Sequence, residues 1–521
     1  MSRAQGSGPL VIAVDCSTTA AKALVVNARG SVVGTGAQQL RTFSPGPHRF
    51  EQHAPDWWAA TDRAVRTALS TTPDRSRVTA VCVTHQRESF VCLDGEGRPL
   101  RPAILWMDGR AEAQAQRVGT QRVEQLSGKP ADITPGLYKL AWLGEHEPAT
   151  LAAARRVVDV HGYLVHAMTG RWVSSTSSVD PLALLEVSTG EYSEELLAVA
   201  GLTREQLPEL VPSGTLLGPL RPDVAAGWGL GAGVEVVAGL GDGQAAGLGL
   251  DVTDPTSAYL VMGTAVVIGS ESTGYRPSRA YRSMISAFPG HVTVETFNAA
   301  GTYLPTWFRR EFGRPELHGS PDPELEEQAA AVAPGSDRLV TLPYWNAAQT
   351  PHWDGRASGL TVGWRGSHTR AHFYRSLLEG IAFELRLQLE GLEQARGEDV
   401  KVIRAMGGGA RSALWTQILA DVFARPIQVG ASGEASALGA AAVALTAIGS
   451  YDSLRAATHA LARIDDTVKP GANTSRYADL LAVYRRLYAE TRGVMHALHE
   501  LTPPTERGTE EATHDEIRGR A

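Results

Sequence analysis

The chain has 521 residues, of which 43% are hydrophobic and 20% are charged, and this composition is typical of a globular protein. Its net charge of −7 argues against a nucleic-acid partner, which would require a basic surface. Every apolar run is shorter than the roughly 20 residues that cross a membrane, so no membrane partner is expected. A small molecule is therefore the expected ligand.

The length exceeds what one hydrophobic core supports, because single cores stop growing at about 250 to 300 residues. We predict two domains, 1–250 and 251–502, and a disordered tail, 503–521, that is rich in charge. The first apolar run meets Asp15 at once, so it predicts a strand and not a secretory signal. The three cysteines lack metal-binding spacing, which favours a cytoplasmic protein.

The opening segment predicts a three-stranded meander, and after it apolar residues at helical spacing predict a helix that covers this sheet. The meander strands are predicted at 10–15, 21–27 and 31–36. A second strand pair is expected at 78–83 and 90–93, with polar residues bunched between the two strands.

Near residue 257, the segment SAYLVMGTAVVIGS repeats the opening hairpin, which suggests a duplicated fold. Apolar residues every four positions from 373 to 389 predict a long helix with one buried stripe. The segment VIRAMGGGARSALWTQILADVF predicts a strand, a glycine turn and a helix. A further helix, 434–447, is so rich in alanine that we expect it to pack closely against another element.

Residues 239–249, GLGDGQAAGLG, place a single aspartate, Asp242, among glycines after an apolar run. The glycines match the G-x-G-x-x-A spacing of a dinucleotide-binding turn. That fold needs an acidic residue about 20 positions later, at the end of the next strand. The next predicted strand, 258–262, ends in Gly-Thr, so the sequence disfavours a dinucleotide site.

A general base is the alternative role for Asp242. The glycines would then leave room for a substrate hydroxyl to reach the carboxylate, with a phosphoryl group in line beyond it. A structural role also stays open, in which Asp242 caps the following helix.

The segment DCSTTAAK suits a phosphate, which needs hydroxyls, amides and a cation. It carries Thr18, Thr19 and Lys22 in or beside a tight turn, and Asp15 at the strand end is a candidate Mg²⁺ ligand. A plain hairpin rich in hydroxyls is the structural alternative. The G-x-x-x-x-G-K pattern of a P-loop is absent.

Two later turns are further candidates for contact with a nucleotide. Gly263-Thr264 forms a second threonine-bearing turn, although an ordinary hairpin explains it equally. Three consecutive glycines in GGGARS, 407–412, cost backbone entropy and suggest a close ligand. A tight strand-to-helix turn without a ligand stays open.

A polyhydroxylated substrate needs groups that each bind two hydroxyls. Gln86, Arg87 and Glu88 offer two donors and a carboxylate at one strand end, and Asp108 lies in WMDGR beside an aromatic ring. An exposed salt bridge between Arg87 and Glu88 is the alternative.

In order and spacing, these segments resemble the FGGY-family carbohydrate kinases from about residue 10 to about residue 500. The resemblance is carried by AVDCSTTAAKA, EQHAPDWW, HQRES, ILWMDGRA, HGYLVHAMTG, GLGDGQAAGLG, MGT, GGGARSALWTQILADVF and EASALGAAAVA. It implies an α/β protein of two actin-like, ribonuclease H-like domains with a cleft between them, which transfers phosphate from ATP to a sugar or polyol.

The resemblance also implies roles for individual residues. Asp242 would take the proton from the substrate hydroxyl and, with Asp15, lie at Mg²⁺. Nucleotide binding is implied for Thr18, Thr19, Lys22, Gly263, Thr264, Gly408, Gly409 and Ser412. Substrate binding is implied for Gln86, Arg87, Glu88, Asp108, Asp242 and Gln244.

Departures from the family patterns bear on the substrate. HQRES is closer to the Gln-Arg-Glu of glycerol kinases than to the Met-His of xylulokinases, but Thr134 stands where glycerol kinases carry an aromatic residue. Gly243 separates Asp242 from Gln244, whereas glycerol kinases carry a glutamine directly after the aspartate. The C-terminal half is more like xylulokinases.

We therefore expect phosphorylation of a terminal hydroxyl of a small linear ketose or polyol, and a xylulose-like ketopentose is the first substrate candidate. A glycerol- or erythritol-type polyol kinase is one alternative, and a non-catalytic actin-like ATPase is another. The resemblance also allows a homodimer.

Overall fold

The computed structural model describes residues 8–318, 320–431 and 433–501. The predicted tail, 503–521, lies outside these residues. Within the described part of the chain, no helix combines the length and the apolar character needed to cross a bilayer.

The first half is built on a six-stranded mixed sheet. The strands of this half are β1 Leu10–Cys16, β2 Ala20–Asn27, β3 Val32–Gln39, β4 Glu51–Gln52, β5 Val78–His85, β6 Phe90–Leu93, β7 Ala103–Ile104, β8 Arg156–Asp159, β9 Val173–Ser175, β10 Leu185–Glu186, β11 Glu191–Tyr192, β12 Glu209–Val211, β13 Leu216–Pro219 and β14 Glu235–Gly241. The main sheet has the order β13-β14-β5-β1-β2-β3, and β4-β7-β6-β8 form a second sheet.

Ten α-helices surround these sheets in the described residues of this half. They are α1 Ala54–Ser70, α2 Glu112–Val118, α3 Gln121–Ser127, α4 Gly136–His146, α5 Pro148–Ala153, α6 Val160–Thr169, α7 Thr176–Val179, α8 Glu194–Ala200, α9 Pro222–Trp228 and α10 Asp242–Gly249.

The second half is built on a seven-stranded sheet in the order β17-β18-β16-β15-β21-β22-β23. The strands of this half are β15 Ser257–Met262, β16 Val266–Thr273, β17 Arg282–Ile285, β18 His291–Asn298, β19 Val340–Leu342, β20 Leu360–Val362, β21 Val402–Met406, β22 Ile427–Gly430 and β23 Ile464–Val468. Its helices are α11 Tyr303–Phe312, α12 Pro323–Ala331, α13 Arg370–Arg396, α14 Ala413–Phe423, α15 Ala435–Ala447, α16 Leu454–Leu461 and α17 Thr474–Leu501.

The two main sheets have the same topology, which confirms the duplicated fold. In the first sheet an antiparallel run, β3-β2-β1, continues into the parallel strands β5 and β14 and ends in antiparallel β13. In the second sheet β18-β16-β15, β21, β22 and β23 repeat this pattern, and β17 is an addition at one edge. The two predicted hairpins thus open equivalent sheets.

One predicted pairing is wrong. The strands at 78–83 and 90–93 do not pair with each other, because β5 lies between β1 and β14 whereas β6 pairs with β7 and β8 in the smaller sheet. The polar residues between them therefore connect two sheets.

The central strand β1 is apolar along most of its length because helices cover both of its faces, as expected for buried parallel strands. Ile12 and Val14 pack in the cluster that includes α1 and α6. Val11 and Ala13 face the other way, against α10 and α15. Helix α15 lies between β22 and β23 of the second half in sequence, yet it packs on the first sheet.

Helices α10 and α15 cross at close range, which explains why the alanine-rich helix needs small residues. A Cβ at Gly439 would lie 2.0 Å from the carbonyl oxygen of Ala245. A Cβ at Gly249 would lie 2.0 Å from the carbonyl oxygen of Ala435. Backbones therefore meet at both ends of the crossing, and the expected close packing is confirmed.

Candidate active site

Three parallel strands of the first sheet end side by side and bring together residues that are far apart in sequence. Asp15 at the end of β1 is paired in register with Thr84 of β5, which is also paired with Leu240 of β14. Arg87 and Asp242 follow the ends of β5 and β14. Ligands of open α/β sheets bind beyond such carboxyl ends, so this edge is the candidate site.

Asp242 is the first residue of α10, and its side chain is 39% exposed. Its Oδ1 accepts a hydrogen bond from the Gly243 amide at 2.8 Å and lies 3.0 Å from Nε of Arg87. Burial raises the pKa of the Asp242 carboxyl, although Arg87 acts in the opposite direction. Gly241 occupies the N-cap and no side chain caps the helix, so the capping role considered for Asp242 is not found.

The glycines around Asp242 have a different reason from the predicted one. A Cβ at Gly239 would lie 1.7 Å from the carbonyl oxygen of Val83. A Cβ at Gly241 would meet the stem of Arg87 at 2.6 Å, and a Cβ at Gly243 would meet Oε1 of Glu295 at 2.5 Å. The glycines therefore make room for a neighbouring strand and two charged side chains, and their absent side chains are no sign of substrate approach.

Arg87 and Glu88 belong to a buried charge network that joins the two halves of the chain. NH1 of Arg87 lies 2.9 Å from Oε2 of Glu295, and Arg282 bonds both Glu295, at 3.1 Å, and Glu88, at 3.0 Å. Glu88 has a positive φ of 60°, a strained conformation that clusters at functional sites. The exposed Arg87–Glu88 pair considered from the sequence is not what the structure contains.

Sequence reasoning missed Glu295 and Arg282. Both lie in strands of the second half, and Glu295 lies in HVTVETF of β18, a segment rich in β-branched residues. A charged residue within such a strand segment is the signal that could have pointed to a buried partner.

Three predicted substrate residues have side chains that already bond within the protein. Oε1 of Gln86 accepts from Thr18 and Ser89, and its amide donates to Gln52. Gln244 donates to the carbonyl of Ser177 at 3.0 Å. Asp108 is the third, and both of its oxygens are engaged.

Asp108 is fully buried at 0% exposure. One oxygen accepts from the Phe50 amide at 2.6 Å, and Arg110 contacts both oxygens. Its carboxylate therefore fixes the WMDGR loop. The structure does not bring Asp108 into the charge network around Asp242.

Asp15, Lys22 and Glu434 form a second charged group beside Asp242. Asp15 and Lys22 stand opposite each other in the β1–β2 hairpin, and Nζ of Lys22 lies 3.0 Å from Oε1 of Glu434. Ser436 donates to the carbonyl oxygen of Asp242 at 3.2 Å, so the start of α15 touches both groups. Glu434 and Ser436, within the sequence EASALG, are further residues that sequence reasoning did not assign.

The environment of Asp15 suits a cation. Burial, Asp242 and Glu434 raise the pKa of Asp15 to about 7, with Lys22 opposing them. Oδ1 of Asp15 is buried and has no hydrogen-bond partner among the described residues. The described chain has no cluster of three His, Cys, Asp or Glu ligands, but Mg²⁺ commonly uses only one or two carboxylates together with waters and phosphates.

The first predicted phosphate turn is a tight β-hairpin turn with an exposed tip at Thr19. The Ser17 amide donates to the carbonyl of Ala20 at 3.0 Å, which closes the turn. The Thr18 hydroxyl bonds Gln86 and accepts from the indole of Trp106, so it faces the substrate residues. The turn therefore connects the phosphate candidates with HQRES.

The second turn lies against the glycine run. Gly263 and Thr264 join β15 to β16, and Thr264 is exposed. A Cβ at Gly407, which has a φ of 99°, would lie 2.6 Å from the Met262 carbonyl oxygen. The β15–β16 turn and the start of the glycine run are therefore adjacent in space.

The glycines of GGGARS differ in what surrounds them. A Cβ at Gly409 would lie 2.7 Å from the ring of Trp415, so packing explains that glycine. A Cβ at Gly408 would have nothing within 4 Å. Ser412 caps α14 by accepting from the Trp415 amide at 3.1 Å, and its hydroxyl donates to Glu326. Among the three predicted nucleotide residues of this turn, Gly408 alone borders open space.

Two family models match the chain in succession. Residues 10–249 match the N-terminal domain, and residues 258–448 the C-terminal domain, of the FGGY family of carbohydrate kinases. The chain belongs to this family. The kinase is 30% identical to the xylulose kinase of Escherichia coli K12 over 494 residues, which are 93% of this chain and 100% of that protein. It is 28% identical to the xylulose kinase of Lactococcus lactis over 507 residues, 94% and 98% of the two chains.

Solved structures agree with the family assignment. A xylulose kinase from Rhodospirillum rubrum is 28% identical, has a TM-score of 0.85, and is matched over 94% of this chain and 100% of that one. The kinase therefore has the expected α/β fold of two actin-like domains. It is a carbohydrate kinase, and FGGY kinases use ATP as phosphate donor. A non-catalytic actin-like ATPase is excluded as its class.

Proposed function

We propose that this kinase phosphorylates a terminal hydroxyl of a small linear sugar, with a xylulose-like ketopentose as the first candidate and Asp242 as the general base. The geometry of Asp242 carries the proposal. Its side chain is open to solvent at a strand-end site, and Oδ2 has no hydrogen bond to any residue that the structure describes. The named xylulose kinases that match nearly the whole chain support the ketopentose.

In this proposal Oδ2 of Asp242 accepts the proton of the substrate hydroxyl. The Gly243 amide and Arg87 both engage Oδ1, so the free oxygen is fixed in direction. The pKa of the Asp242 carboxyl is raised, and a raised pKa makes its carboxylate a stronger base toward the substrate hydroxyl. Arg87 and Glu88 would bind the remaining hydroxyls of the sugar.

The nucleotide would lie between the two hairpin turns, with the open face of Gly408 beside it. Thr18, Thr19, Lys22, Gly263 and Thr264 would supply the hydroxyls, amides and cation that phosphates need. Mg²⁺ would neutralise phosphate charge there, and Asp15, with its unpartnered buried oxygen, fits as the residue that holds it.

A glycerol- or erythritol-type polyol is the second candidate substrate. It is favoured by the Gln86-Arg87-Glu88 sequence, because the strained Glu88 and its partner Arg282 put a charged pair where a xylulokinase would have Met-His. A short polyol would use such a pair to bind two hydroxyls.

The test is an ADP-release assay over xylulose, ribulose, xylitol, glycerol, erythritol, threitol and gluconate. We expect one ketopentose or polyol to be preferred, and replacement of Asp242 by Asn to lower its kcat by about 10²-fold or more while ATP binding persists. Asp223→Asn is the matched control, since Asp223 also lies in a first helical turn but its side chain is exposed, on α9. Near-normal turnover of Asp242→Asn would refute the assigned base.

The three cysteines are free and buried, and this agrees with the cytoplasmic location that we propose from the sequence. The domain bounds 1–250 and 251–502 and the homodimer stay predictions.

A further inference from the structure

Glu295 lies on β18 of the second sheet, yet its carboxylate reaches the catalytic region of the first half. The residue is 0% exposed. Its Oε1 accepts from the hydroxyl of Tyr259, and its Oε2 lies 3.1 Å from Arg282 and 2.9 Å from Arg87. Three donors on one buried carboxylate fix it in place, because charge-assisted bonds are strong and directional in a dry environment.

Arg87 divides its guanidinium between two carboxylates. NH1 contacts Glu295, whereas Nε lies 3.0 Å from Oδ1 of Asp242. Arginine and a carboxylate often form two parallel N–H···O bonds, and such a pair would occupy both oxygens of Asp242. Because Nε already lies at Oδ1, the second bond of such a pair would come from NH2, the nitrogen that shares an edge with Nε. The NH1 contact with Glu295 fixes the plane of the guanidinium, and in this orientation Oδ2 of Asp242 has no hydrogen bond among the described residues.

The nitrogen that would complete the competing pair lies next to the loop that carries Asp242. A Cβ at Gly243 would lie 2.7 Å from NH2 of Arg87, so the guanidinium lies directly against the loop that carries Asp242. Without the negative charge of Glu295, Asp242 would be the remaining anion in contact with Arg87. Attraction between them in a poorly solvated site would favour the two-bond arrangement.

We propose that Glu295 is a positioning residue, which holds Arg87 in a one-nitrogen contact with Asp242 and so keeps Oδ2 open for the substrate hydroxyl. This inference rests on the proposed role of Asp242 as base. Because Glu295 comes from the second half and Arg87 from the first, the base is correctly arranged only when the two halves are in contact.

The test uses Glu295→Gln, which keeps the shape and removes the charge. We expect kcat per bound nucleotide to fall by about 10²-fold, the usual effect of displacing a catalytic group, while the KM for ATP changes little. Normalisation to bound nucleotide removes any loss of folded enzyme. Glu384→Gln is the control, because Glu384 is an equally buried carboxylate that accepts from Tyr344 and Tyr484, away from Arg87.

The double variant Glu295→Gln with Asp242→Asn separates positioning from structure. If Glu295 acts through Asp242, the double variant should turn over within about twofold of Asp242→Asn alone in single-turnover assays, since effects of groups that act as a unit do not multiply. A further loss by the full factor of Glu295→Gln would overturn the inference, and so would normal turnover of Glu295→Gln. Normal turnover of Asp242→Asn would instead refute the base itself.

A third variant, Glu295→Asp, keeps the charge and withdraws it by one methylene. We expect its kcat per bound nucleotide to recover at least tenfold over Glu295→Gln, because Arg87 again has a second anion. No recovery would show that the charge of Glu295 does not hold Arg87.

Discussion

The crossing of α10 and α15 offers a sharp test of how the site is held together. Gly439→Ala would place a methyl carbon 2.0 Å from the Ala245 carbonyl oxygen, more than 1 Å closer than normal contact allows. Ala245 lies in the helix that begins with Asp242, and Gly439 lies in the helix that begins beside Lys22 and Glu434. The two charged groups of the site therefore move if the crossing opens.

Two opposing effects set the change in the free energy of unfolding that Gly439→Ala causes. Alanine is favoured over glycine in a helix by about 1 kcal/mol. Overpacking costs roughly 1 to 3 kcal/mol and more where the obstacle is backbone, as it is here. The overpacking term should exceed the helix gain, so we expect a net loss of about 2 kcal/mol in the free energy of unfolding. A 1 Å shift of Asp242 should also lower kcat by about 10²-fold.

The assay is chemical denaturation together with steady-state kinetics. Gly493→Ala is the control, because Gly493 lies in α17 and a Cβ there would meet nothing within 4 Å. We expect this control to keep or gain stability and to keep full activity. A Gly439→Ala protein as stable and active as the parent would show that the backbone contact at the crossing is not as close as described.

Three further predictions concern single groups. Burial raises the pKa of Glu384 from 4.5 to about 7, so between these pH values the folded protein keeps a proton that the unfolded chain releases. The free energy of unfolding should therefore fall by about 3 kcal/mol as the pH rises through this window. Glu384→Gln should lack this decline when denaturation is followed from pH 5 to 8. Asp15→Asn should raise the Mg²⁺ concentration for half-maximal activity by about 10-fold or more, measured by metal titration, with sugar KM little changed. Gly409→Ala should lower unfolding free energy by about 1 to 3 kcal/mol through contact with Trp415, whereas Gly408→Ala should keep stability and raise the KM for ATP.

The sequence predicted well what depends on local pattern. Short apolar runs located β1 and β2, helical spacing located α1 and α13, and the repeated hairpin indicated the duplicated sheets. Asp15, Arg87 and Asp242 each follow or end a predicted strand, but only the family resemblance placed them in one site. The parallel pairing that brings these strand ends together is seen in the structure.

Contacts between distant segments could not be predicted in the same way. Nothing in the spacing of HQRES indicates that Arg87 meets Glu295, which is 208 residues later. The pairing of β5 was misjudged for the same reason, since its neighbours β1 and β14 are separated by more of the chain than the nearby β6. A strand's nearest neighbour in sequence was preferred over its neighbours in space.

The glycines near Asp242 illustrate the limit most clearly. A glycine in a short apolar loop indicates that something approaches the backbone closely, but the residue type does not say what. At Gly241 and Gly243 the approaching groups are the Arg87 side chain and the Glu295 carboxylate. The small residues thus admit charged groups that contact Asp242, and in the proposed mechanism the oxygen left for a hydroxyl depends on how those charges pair. The arrangement around Asp242 is therefore encoded in both halves of the chain, although Asp242 itself lies in one.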